Sequence, residues 1–175
     1  MKFNEQKLAG VYLIEPEPFS DDRGLFRRHF CQKEFSENGI ISDIKQCNVS
    51  FNNAAYTLRG FHYQESPYEE GKTLSCLKGS IFDIVVDLRI DSDTYMQWTS
   101  FELNEKNNHS IHIAPGCANA FLTLEDECLI HYYCSQSYTP SAEKGIRYDD
   151  PSFNFKWPFK PEIISDRDIN HLDYK

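Results

Sequence analysis

Short apolar segments recur along most of this 175-residue chain, and within them apolar and polar positions alternate with a period of two. The clearest case is Ser80–Asp87 (SIFDIVVD), where Phe82, Ile84 and Val86 fall on one face and Asp83 on the other. Glycine, proline, asparagine and aspartate separate the segments. This pattern is typical of an all-β sandwich or barrel.

The alternation predicts a series of short strands with one short helix at Gln32–Asn38. The predicted strands are Val11–Glu15, Leu25–Cys31, Ile44–Phe51, Thr57–Tyr63, Lys72–Lys78, Ser80–Asp87, Trp98–Leu103, His109–Ile113, Ala118–Leu124, Cys128–Ser135 and Gly145–Tyr148. A hairpin is expected to turn at Lys78-Gly79, because glycine tolerates the positive φ of a tight turn.

No repeat, low-complexity tract or linker divides the sequence, so we expect a single domain over residues 1–175. The architecture that fits best is an all-β, cupin-like jelly-roll barrel with short flanking helices. Four strands are expected to line its pocket: Thr57–Tyr63, Lys72–Lys78, Ala118–Leu124 and Cys128–Ser135. The tail from Pro151 to Lys175 is expected to place a turn or short helix across the mouth of that pocket.

The composition limits which classes of molecule the protein is expected to bind. A net charge of −9 and a pI near 5.1 argue against nucleic acid or an anionic membrane, and a phosphorylated ligand would need a local cluster of Arg and Lys. No apolar run has the length of a membrane span, and the N-terminus MKFNEQKLAG lacks the apolar segment of a signal peptide, so we expect a cytoplasmic location. Six cysteines without a C-x-x-C pair indicate free thiols.

The stretch LRGFHYQ raises the question of a metal site, because cupin barrels often hold a metal through two histidines on alternate positions of one strand. Here His62 is followed two positions later by Gln64, and the later strand offers Asn119. His112 precedes a proline among apolar neighbours and could be structural. Since amides are poor transition-metal ligands, we expect no functional metal.

Without a metal, His62 is a candidate general base, because a histidine imidazole titrates near neutral pH. A base of this kind needs a carboxylate to orient it. The tail supplies Asp166, Asp168 and Asp173.

Other side chains could complete such a site. Lys72 could hold an oxyanion or a phosphate, Tyr132 and Tyr138 could deliver a proton, and Arg23 and Arg59 could contact phosphates. Each of these residues could instead have an ordinary structural role. The lysine could be solvated, the tyrosines could pack in strands, an arginine could lie in a surface turn, and His62 could be a core histidine. Spacing alone therefore leaves an all-β domain with a polar pocket of unspecified purpose.

Taken together, several ordered motifs resemble the dTDP-4-dehydrorhamnose 3,5-epimerase family of nucleotide-sugar enzymes. They are EPEPFSDDRGLF, the Q-x-N-x-S of Gln46 to Ser50, LRGFHYQ, GKTLSCLKGSIFDIVVDLR, DSDTYMQW, IAPGCANAF, YTPSAEKGIRYDD, KWPF and ISDRD. The resemblance implies a jelly-roll homodimer that uses neither metal nor organic cofactor. Its expected substrate is a nucleotide-diphosphate 4-keto sugar, epimerised at carbon 3, carbon 5 or both.

The resemblance also implies roles. His62 matches the family's catalytic base and Asp168 its supporting carboxylate, Tyr132 the general acid on the opposite face of the sugar, and Lys72 the residue that stabilises the enolate oxygen. The expected substrate-binding residues, some of them reaching across the dimer, are Arg23, Phe26, Gln46, Asn48, Arg59, Asn119, Tyr138 and Glu143.

Two positions depart from the family's pattern. Asn119 stands where the family usually has a histidine, and an amide cannot carry a charge or relay a proton, so the number of centres inverted is open. Arg28 stands where the family often has an acidic residue, which opens the choice of nucleotide; Arg27 and Arg28 could equally form an exposed strand face. The alternatives are a single-centre epimerase or 3,4-ketoisomerase on a CDP-, GDP- or dTDP-linked sugar, and a non-catalytic sugar-nucleotide binding protein.

Overall fold

The computed structural model covers residues 1–175 and is built almost entirely of short strands. The strands are β1 Lys2–Glu5, β2 Tyr12–Glu15, β3 Phe19–Asp21, β4 Gly24–Phe26, β5 Gln46–Asn52, β6 Leu58–Gln64, β7 Lys72–Lys78, β8 Ser80–Asp87, β9 Trp98–Asn104, β10 Ser110–Ile113, β11 Cys117–Thr123, β12 Cys128–Cys134 and β13 Glu143–Gly145. The helices are α1 Gln32–Glu37 and α2 Asp166–Ile169.

The strands form two facing antiparallel sheets. One has six strands in the order β1-β2-β10-β7-β12-β5, and the other has five in the order β13-β6-β11-β8-β9. Strands β3 and β4 form a separate two-stranded arm. Neighbours in a sheet are mostly distant in sequence, as in a jelly roll, and this arrangement brings strands from the two halves of the chain around one interior.

The main core lies between the sheets. Leu74, Ile111 and Ile130 of the six-stranded sheet pack with Ile81 and Val85 of β8. The alternate residues of β8, among them Ile84 and Val86, face away from this core and pack under tail aromatics such as Phe153 and Trp157. Both faces of β8 are therefore buried, which explains its near-continuous apolar sequence.

A smaller core covers the outer face of the six-stranded sheet. Phe35 of α1 packs there against Ile14, Ile40 and Tyr133. The predicted helix at Gln32–Asn38 is confirmed within one residue. The apolar side of this helix closes the outer cluster.

Most predicted strands are confirmed within one or two residues, but two are wrong in part. Leu25–Cys31 is a strand only at its start, because β4 ends at Phe26 and the chain then turns inward. There the Arg27 guanidinium bonds His29, whose other ring nitrogen bonds His131. Gly145–Tyr148 overlaps β13 at Gly145 alone. Strands β1 and β3 were not predicted.

The predicted hairpin at Lys78-Gly79 is wrong, although the bounds of its two strands are confirmed. Strand β7 lies between β10 and β12, whereas β8 lies in the opposite sheet between β11 and β9. Gly79 has φ +80°, and a Cβ on it would lie 2.6 Å from Cys128 Sγ. The glycine therefore lets the chain pass from one sheet to the other against a close neighbour.

All six cysteines are free thiols, and four of them are buried. Cys31 is partly buried and Cys47 is exposed. No helix of the structure is long and apolar enough to cross a membrane.

Candidate active site

A pocket opens between the two sheets, and its lining comes from both. Strands β6 and β11 supply one side, and strands β5, β7 and β12 supply the other. The lining residues are Ser50, Arg59, His62, Lys72, Leu74, Asn119, Phe121 and Tyr132. The four strands predicted to line the pocket all do so, and β5 joins them through Ser50.

On the five-stranded side, His62 contacts a carboxylate of the tail. His62 Nε2 lies 2.7 Å from Asp168 Oδ1. A carboxylate accepts hydrogen bonds, so this contact places the ring proton on Nε2 and leaves the lone pair on Nδ1. The imidazole is therefore oriented as a base.

The short helix α2 holds Asp168 in place. Ser165 caps the helix by accepting a hydrogen bond from the Asp168 backbone amide, and Asp168 Oδ2 accepts one from the Gly60 amide at 3.3 Å. Burial alone would raise the pKa of Asp168, but the bonds from His62 and Gly60 outweigh it and the pKa is lowered. The carboxylate is thus kept ionised beside the imidazole. The expected short helix in the tail is confirmed; it packs on β6 and lines a neighbouring cavity, whereas no tail residue lines the pocket itself.

On the six-stranded side, Lys72 is held as a buried cation. Its side chain is only 13% exposed, and Nζ lies 3.1 Å from Glu70 Oε1 and 5.9 Å from the ring centroid of Tyr132. Burial would lower the pKa of Lys72, but the charge of Glu70 and other nearby groups raise it overall. The ammonium faces the same pocket as His62 from the opposite sheet.

Tyr132 lies beside Lys72 on β12. Burial raises the pKa of its phenol, while the positive charges of Lys72 and Arg59 act against that rise. The hydroxyl therefore keeps its proton at neutral pH. His62 and Tyr132 face each other from different sheets, with the pocket between them.

Asn119 connects the pocket to a buried acid that the sequence analysis did not single out. Its Nδ2 donates to Asp83 Oδ2 at 2.9 Å, and its Oδ1 accepts from Lys72 Nζ at 3.4 Å. Burial raises the pKa of Asp83 to about 8, against the opposing effects of Asn119 and Lys72. The other carboxyl oxygen, Oδ1, is buried without a hydrogen-bond partner.

A polar network joins strand β5, strand β13 and helix α2. Gln46 bonds Asn48 through its amide nitrogen and the Tyr138 backbone amide through its oxygen. The Tyr138 hydroxyl donates to Glu143, which also pairs with Arg167 at 2.7 Å. Burial would raise the pKa of Glu143, but these two donors lower it. The network brings together all four of these predicted binding residues and adds Arg167.

Arg59 and Arg167 share a second cavity next to the first. It is lined by Thr57, Leu58, Arg59, His62, Glu143, Ile163, Ile164, Ser165, Arg167 and Asp168. The Arg59 Nε donates to Asn52 Oδ1 at 2.6 Å, which fixes the guanidinium at the border of the two cavities. Two arginines thus line one cavity of an acidic chain, together with the carboxylates of Glu143 and Asp168.

Arg23, Phe26 and Arg28 are not brought to the pocket within one chain. Arg23 is 87% exposed and pairs with Asp21 in the turn of the β3–β4 arm. Phe26 is 76% exposed, and it shares a surface groove with Arg28, which pairs with Glu34 at 2.5 Å. The alternative of an exposed strand face at Arg27 and Arg28 is wrong, because β4 ends before them.

No group of three or more His, Cys, Asp or Glu side chains is arranged to hold a metal ion. His112, the other histidine considered, is buried and bonds Thr73 Oγ1 through Nδ1 at 2.8 Å. The side chains that do converge on the pocket are an oriented imidazole, a buried ammonium and a phenol. These are groups of acid–base chemistry.

Comparison with known proteins agrees with this geometry. The family model for dTDP-4-dehydrorhamnose 3,5-epimerase matches residues 5–175. The chain belongs to the dTDP-4-dehydrorhamnose 3,5-epimerase family. It is therefore an enzyme of the isomerase class, as the resemblance predicted. A dTDP-4-dehydrorhamnose 3,5-epimerase of Methanothermobacter thermautotrophicus is 40% identical over an alignment of 173 positions that covers 97% of this chain and 92% of that protein.

Solved structures of the family have the same fold. The dTDP-4-dehydrorhamnose 3,5-epimerase of Bacillus anthracis, with TDP and PPi bound, has a TM-score of 0.96 at 31% identity over 99% of both chains. A 3'-monoepimerase from Streptomyces bikiniensis, in complex with dTDP-quinovose, has a TM-score of 0.89 at 32% identity over 96% of this chain and 85% of that one. The predicted cupin-like jelly roll is confirmed.

Three site residues escaped the sequence analysis. Glu70 lies in the loop before β7, and from the sequence it resembles half of a solvated acidic pair with Glu69. Arg167 resembles an exposed residue of a surface helix. Asp83 carried a usable signal, because an acid in the middle of an apolar strand with both faces buried needs a partner.

Proposed function

We propose that this chain epimerises carbon 3, carbon 5 or both of a dTDP-linked 4-keto-6-deoxy sugar, without a cofactor. The observation that carries the proposal is the arrangement of the pocket. An imidazole oriented by Asp168 faces a phenol, Tyr132, from the opposite sheet, and the Lys72 ammonium lies beside that phenol. Inversion of a carbon centre needs a base and an acid on opposite faces of the ring.

The proposed chemistry uses the 4-keto group as the electron sink. It acidifies the carbons on either side, so that His62 Nδ1 can remove a proton from one of them. Negative charge then develops on the keto oxygen, and the Lys72 ammonium stabilises that charge. Tyr132 returns a proton from the other face, and the centre is inverted. Asp168 stabilises the imidazolium that forms on His62.

The nucleotide is proposed to lie along the mouth of the pocket. Arg59 and Arg167 would hold the pyrophosphate, since guanidinium groups match phosphate oxygens in charge and geometry. Gln46, Asn48 and Tyr138 would contact the nucleoside. The Bacillus anthracis structure contains TDP and the Streptomyces bikiniensis structure contains dTDP-quinovose, which supports a dTDP sugar over a CDP- or GDP-linked one.

We propose that the active form is a homodimer. Arg23 and Phe26 lie on an arm that leaves the body of the chain, and the edge strand β5 exposes Val49 (63%) and Phe51 (52%). An exposed apolar arm and an unpaired edge strand are surfaces that a second copy can cover. From the resemblance we also propose one domain over residues 1–175, a cytoplasmic location and a role in surface-polysaccharide synthesis, such as that of lipopolysaccharide.

The experiment that tests the function is solvent exchange in heavy water with dTDP-, CDP- and GDP-linked 4-keto-6-deoxy sugars. Deuterium is expected to enter at carbon 3, carbon 5 or both of the dTDP sugar, as a mass shift of one or two units located by NMR. His62→Ala should abolish exchange. Tyr132→Phe should retain exchange and lose net inversion. Absence of exchange with all three substrates would contradict an epimerase.

The same measurement decides between the remaining alternatives. Known relatives include a dTDP-4-dehydrorhamnose 3-epimerase of Streptomyces niveus at 31% identity, so both single and double inversion occur in the family. Exchange at one carbon alone would assign a single-centre enzyme. A product with the keto group moved to carbon 3 would assign a 3,4-ketoisomerase, and binding without exchange would assign a sugar-nucleotide binding protein.

A further inference from the structure

A second histidine lies behind the proposed base. His171 follows α2 in the tail, and its Nε2 is 4.0 Å from Asp168 Oδ1. This is the same carboxyl oxygen that lies 2.7 Å from His62 Nε2. His171 Nε2 is itself buried and has no hydrogen-bond partner. Burying a ring nitrogen without a hydrogen-bond partner is unfavourable, and the nearest carboxylate oxygen is already bonded to His62. Such an arrangement requires an explanation.

The fold makes room for this ring. Gly145 of β13 pairs in register with His62 of β6. A Cβ on Gly145 would lie 2.1 Å from His171 Nε2 and 2.5 Å from Cε1. Any other residue at this position would displace the imidazole. The missing side chain of Gly145 therefore leaves the space that His171 occupies, in register with the proposed base.

His171 reaches a different solvent space from the substrate. It lines neither of the two cavities around His62. Instead it lines a surface cavity formed by Arg147, Ile169, Asn170, His171, Leu172, Asp173 and Lys175. Protons from bulk water can therefore reach this ring while the substrate occupies the pocket on the other side of His62.

The charges around His171 come from three elements. Burial lowers the pKa of His171, and the positive charges of His62 and Arg167 lower it further. The negative charges of Asp168 and Glu143 act in the opposite direction, but the pKa of His171 remains lowered. Arg147, paired with Asp173, holds the segment by donating to the His171 backbone oxygen at 3.4 Å. The ring is thus neutral at neutral pH.

We propose that His171 is a positioning residue for the His62–Asp168 pair: as a neutral ring it leaves Asp168 Oδ1 to His62, and as an imidazolium it competes for that oxygen. This inference rests on the proposed role of His62 as the base. A shift of about 1 Å would bring the protonated Nε2 into hydrogen-bond distance of Oδ1. The imidazole of His62 would then lose the carboxylate that orients it and stabilises its charged form.

The consequence is an acid sensitivity that involves two protons. On the acid side of the rate profile, one proton inactivates the proposed base, and a second proton, on His171, draws the Asp168 carboxylate away from that base. The slope of log kcat/KM against pH should therefore approach roughly 2, where a single titrating base gives roughly 1. KM should be little affected, because His171 lines no substrate cavity.

The test compares the wild-type chain with His171→Gln and His171→Phe, using a dTDP-linked 4-keto-6-deoxy sugar from about pH 4.5 to pH 8. Gln is uncharged at all these pH values, and Phe keeps a ring of similar shape against Gly145. Both variants should reduce the acid slope to roughly 1 with KM within about twofold. His109→Gln, a substitution remote from the pocket, should retain the wild-type slope. A wild-type slope in either His171 variant overturns the inference.

A measurement without substrate separates this inference from the proposed function. Nitrogen-15 NMR of the histidine rings reports the tautomer of His62 as the pH is lowered. In the wild type, the Nε2–H signal bonded to Asp168 should weaken as His171 becomes protonated, and in His171→Gln this step should be absent. Lack of substrate exchange in the wild type would defeat the proposed function alone, whereas identical titrations in the two proteins would defeat the role of His171 alone.

Discussion

Asn119 donates a hydrogen bond from Nδ2 to Asp83 Oδ2, 2.9 Å away, and this bond fixes which end of the amide faces the pocket. The nitrogen points to the buried acid, so the oxygen points to Lys72. Asp83 thereby turns Asn119 into an acceptor for the ammonium. A histidine at this position could carry a proton, whereas the amide only holds a charge in place.

Replacing Asp83 by Asn should weaken that orientation. The Lys72 ammonium, which can only donate, still favours the Asn119 oxygen, but the new amide can present its own nitrogen to Asn119 Nδ2 and so weaken the bond that holds the side chain. We expect kcat to fall about tenfold, which corresponds to roughly 1.4 kcal/mol, with a smaller change in KM. Steady-state kinetics would show this. Asp91→Asn, an exposed acid outside the pocket, serves as the control, and equal kcat in the two variants would refute the argument.

Replacing Asp168 by Asn tests the orientation of His62 directly. The amide nitrogen can donate to His62 Nε2, which moves the ring proton to Nδ1 and turns the proposed basic nitrogen into a donor. We expect kcat to fall by about 10²- to 10⁴-fold, as for a wrong histidine tautomer in other catalytic pairs. Thermal unfolding should change little, because the side chain keeps its shape. A variant with near wild-type kcat would separate Asp168 from the proposed mechanism.

Replacing Arg167 by Gln should weaken substrate binding more than chemistry. Loss of a charge-assisted contact to the pyrophosphate costs about 1.5–3 kcal/mol, which predicts an increase of about 10- to 100-fold in KM. The affinity of the variant should also depend less on salt, since one fewer cation faces the phosphates. Titration with dTDP at two ionic strengths measures both effects. Lys156→Gln, on the exposed tail, should match the wild type.

Stability should fall as the solution is acidified, because buried His112 resists protonation. Burial lowers the pKa of His112 to about 4, whereas an unfolded histidine titrates near 6.5. Between these values the unfolded chain binds more protons, so the free energy of unfolding rises with pH and is lost on going down from about 6.5 to about 4. The contribution of His112 is on the order of 2–3 kcal/mol.

Urea denaturation at several pH values between about 4.5 and 7 checks this expectation. His112→Gln should be less stable than the wild type at neutral pH, because Gln does not refill the site of the ring. Its stability should nevertheless change less with pH. Parallel curves for the two proteins would show that other groups cause the acid sensitivity.

The sequence predicted where strands begin and end better than which strands pair with one another, as β7 and β8 show. Alternation with a period of two reports which residues face a core, and it located both strands to the residue. It carries no information on which sheet a strand joins. Gly79 was correctly read as a position that needs positive φ, but the same φ serves a hairpin and a crossing between sheets.

The site was predicted to a similar degree and for a related reason. The contact of His62 with Asp168 joins positions 106 residues apart, and spacing alone offered three equivalent carboxylates in the tail. The resemblance to a family selected one of them. His171 could not be found in that way, because the argument for it depends on which atoms remain without a hydrogen-bond partner after the chain has folded.

The separation of the two sheets has a stereochemical consequence. With the proposed base on β6 and the proposed acid on β12, each belongs to a different layer, and stacked layers lie about 10 Å apart. A sugar ring that enters between them meets proton removal from one side and proton delivery from the other. Exchanging the two functional groups between the sheets would place the base on the side of the ring where the reacting carbon carries no proton, so the same substrate in the same pose would not react.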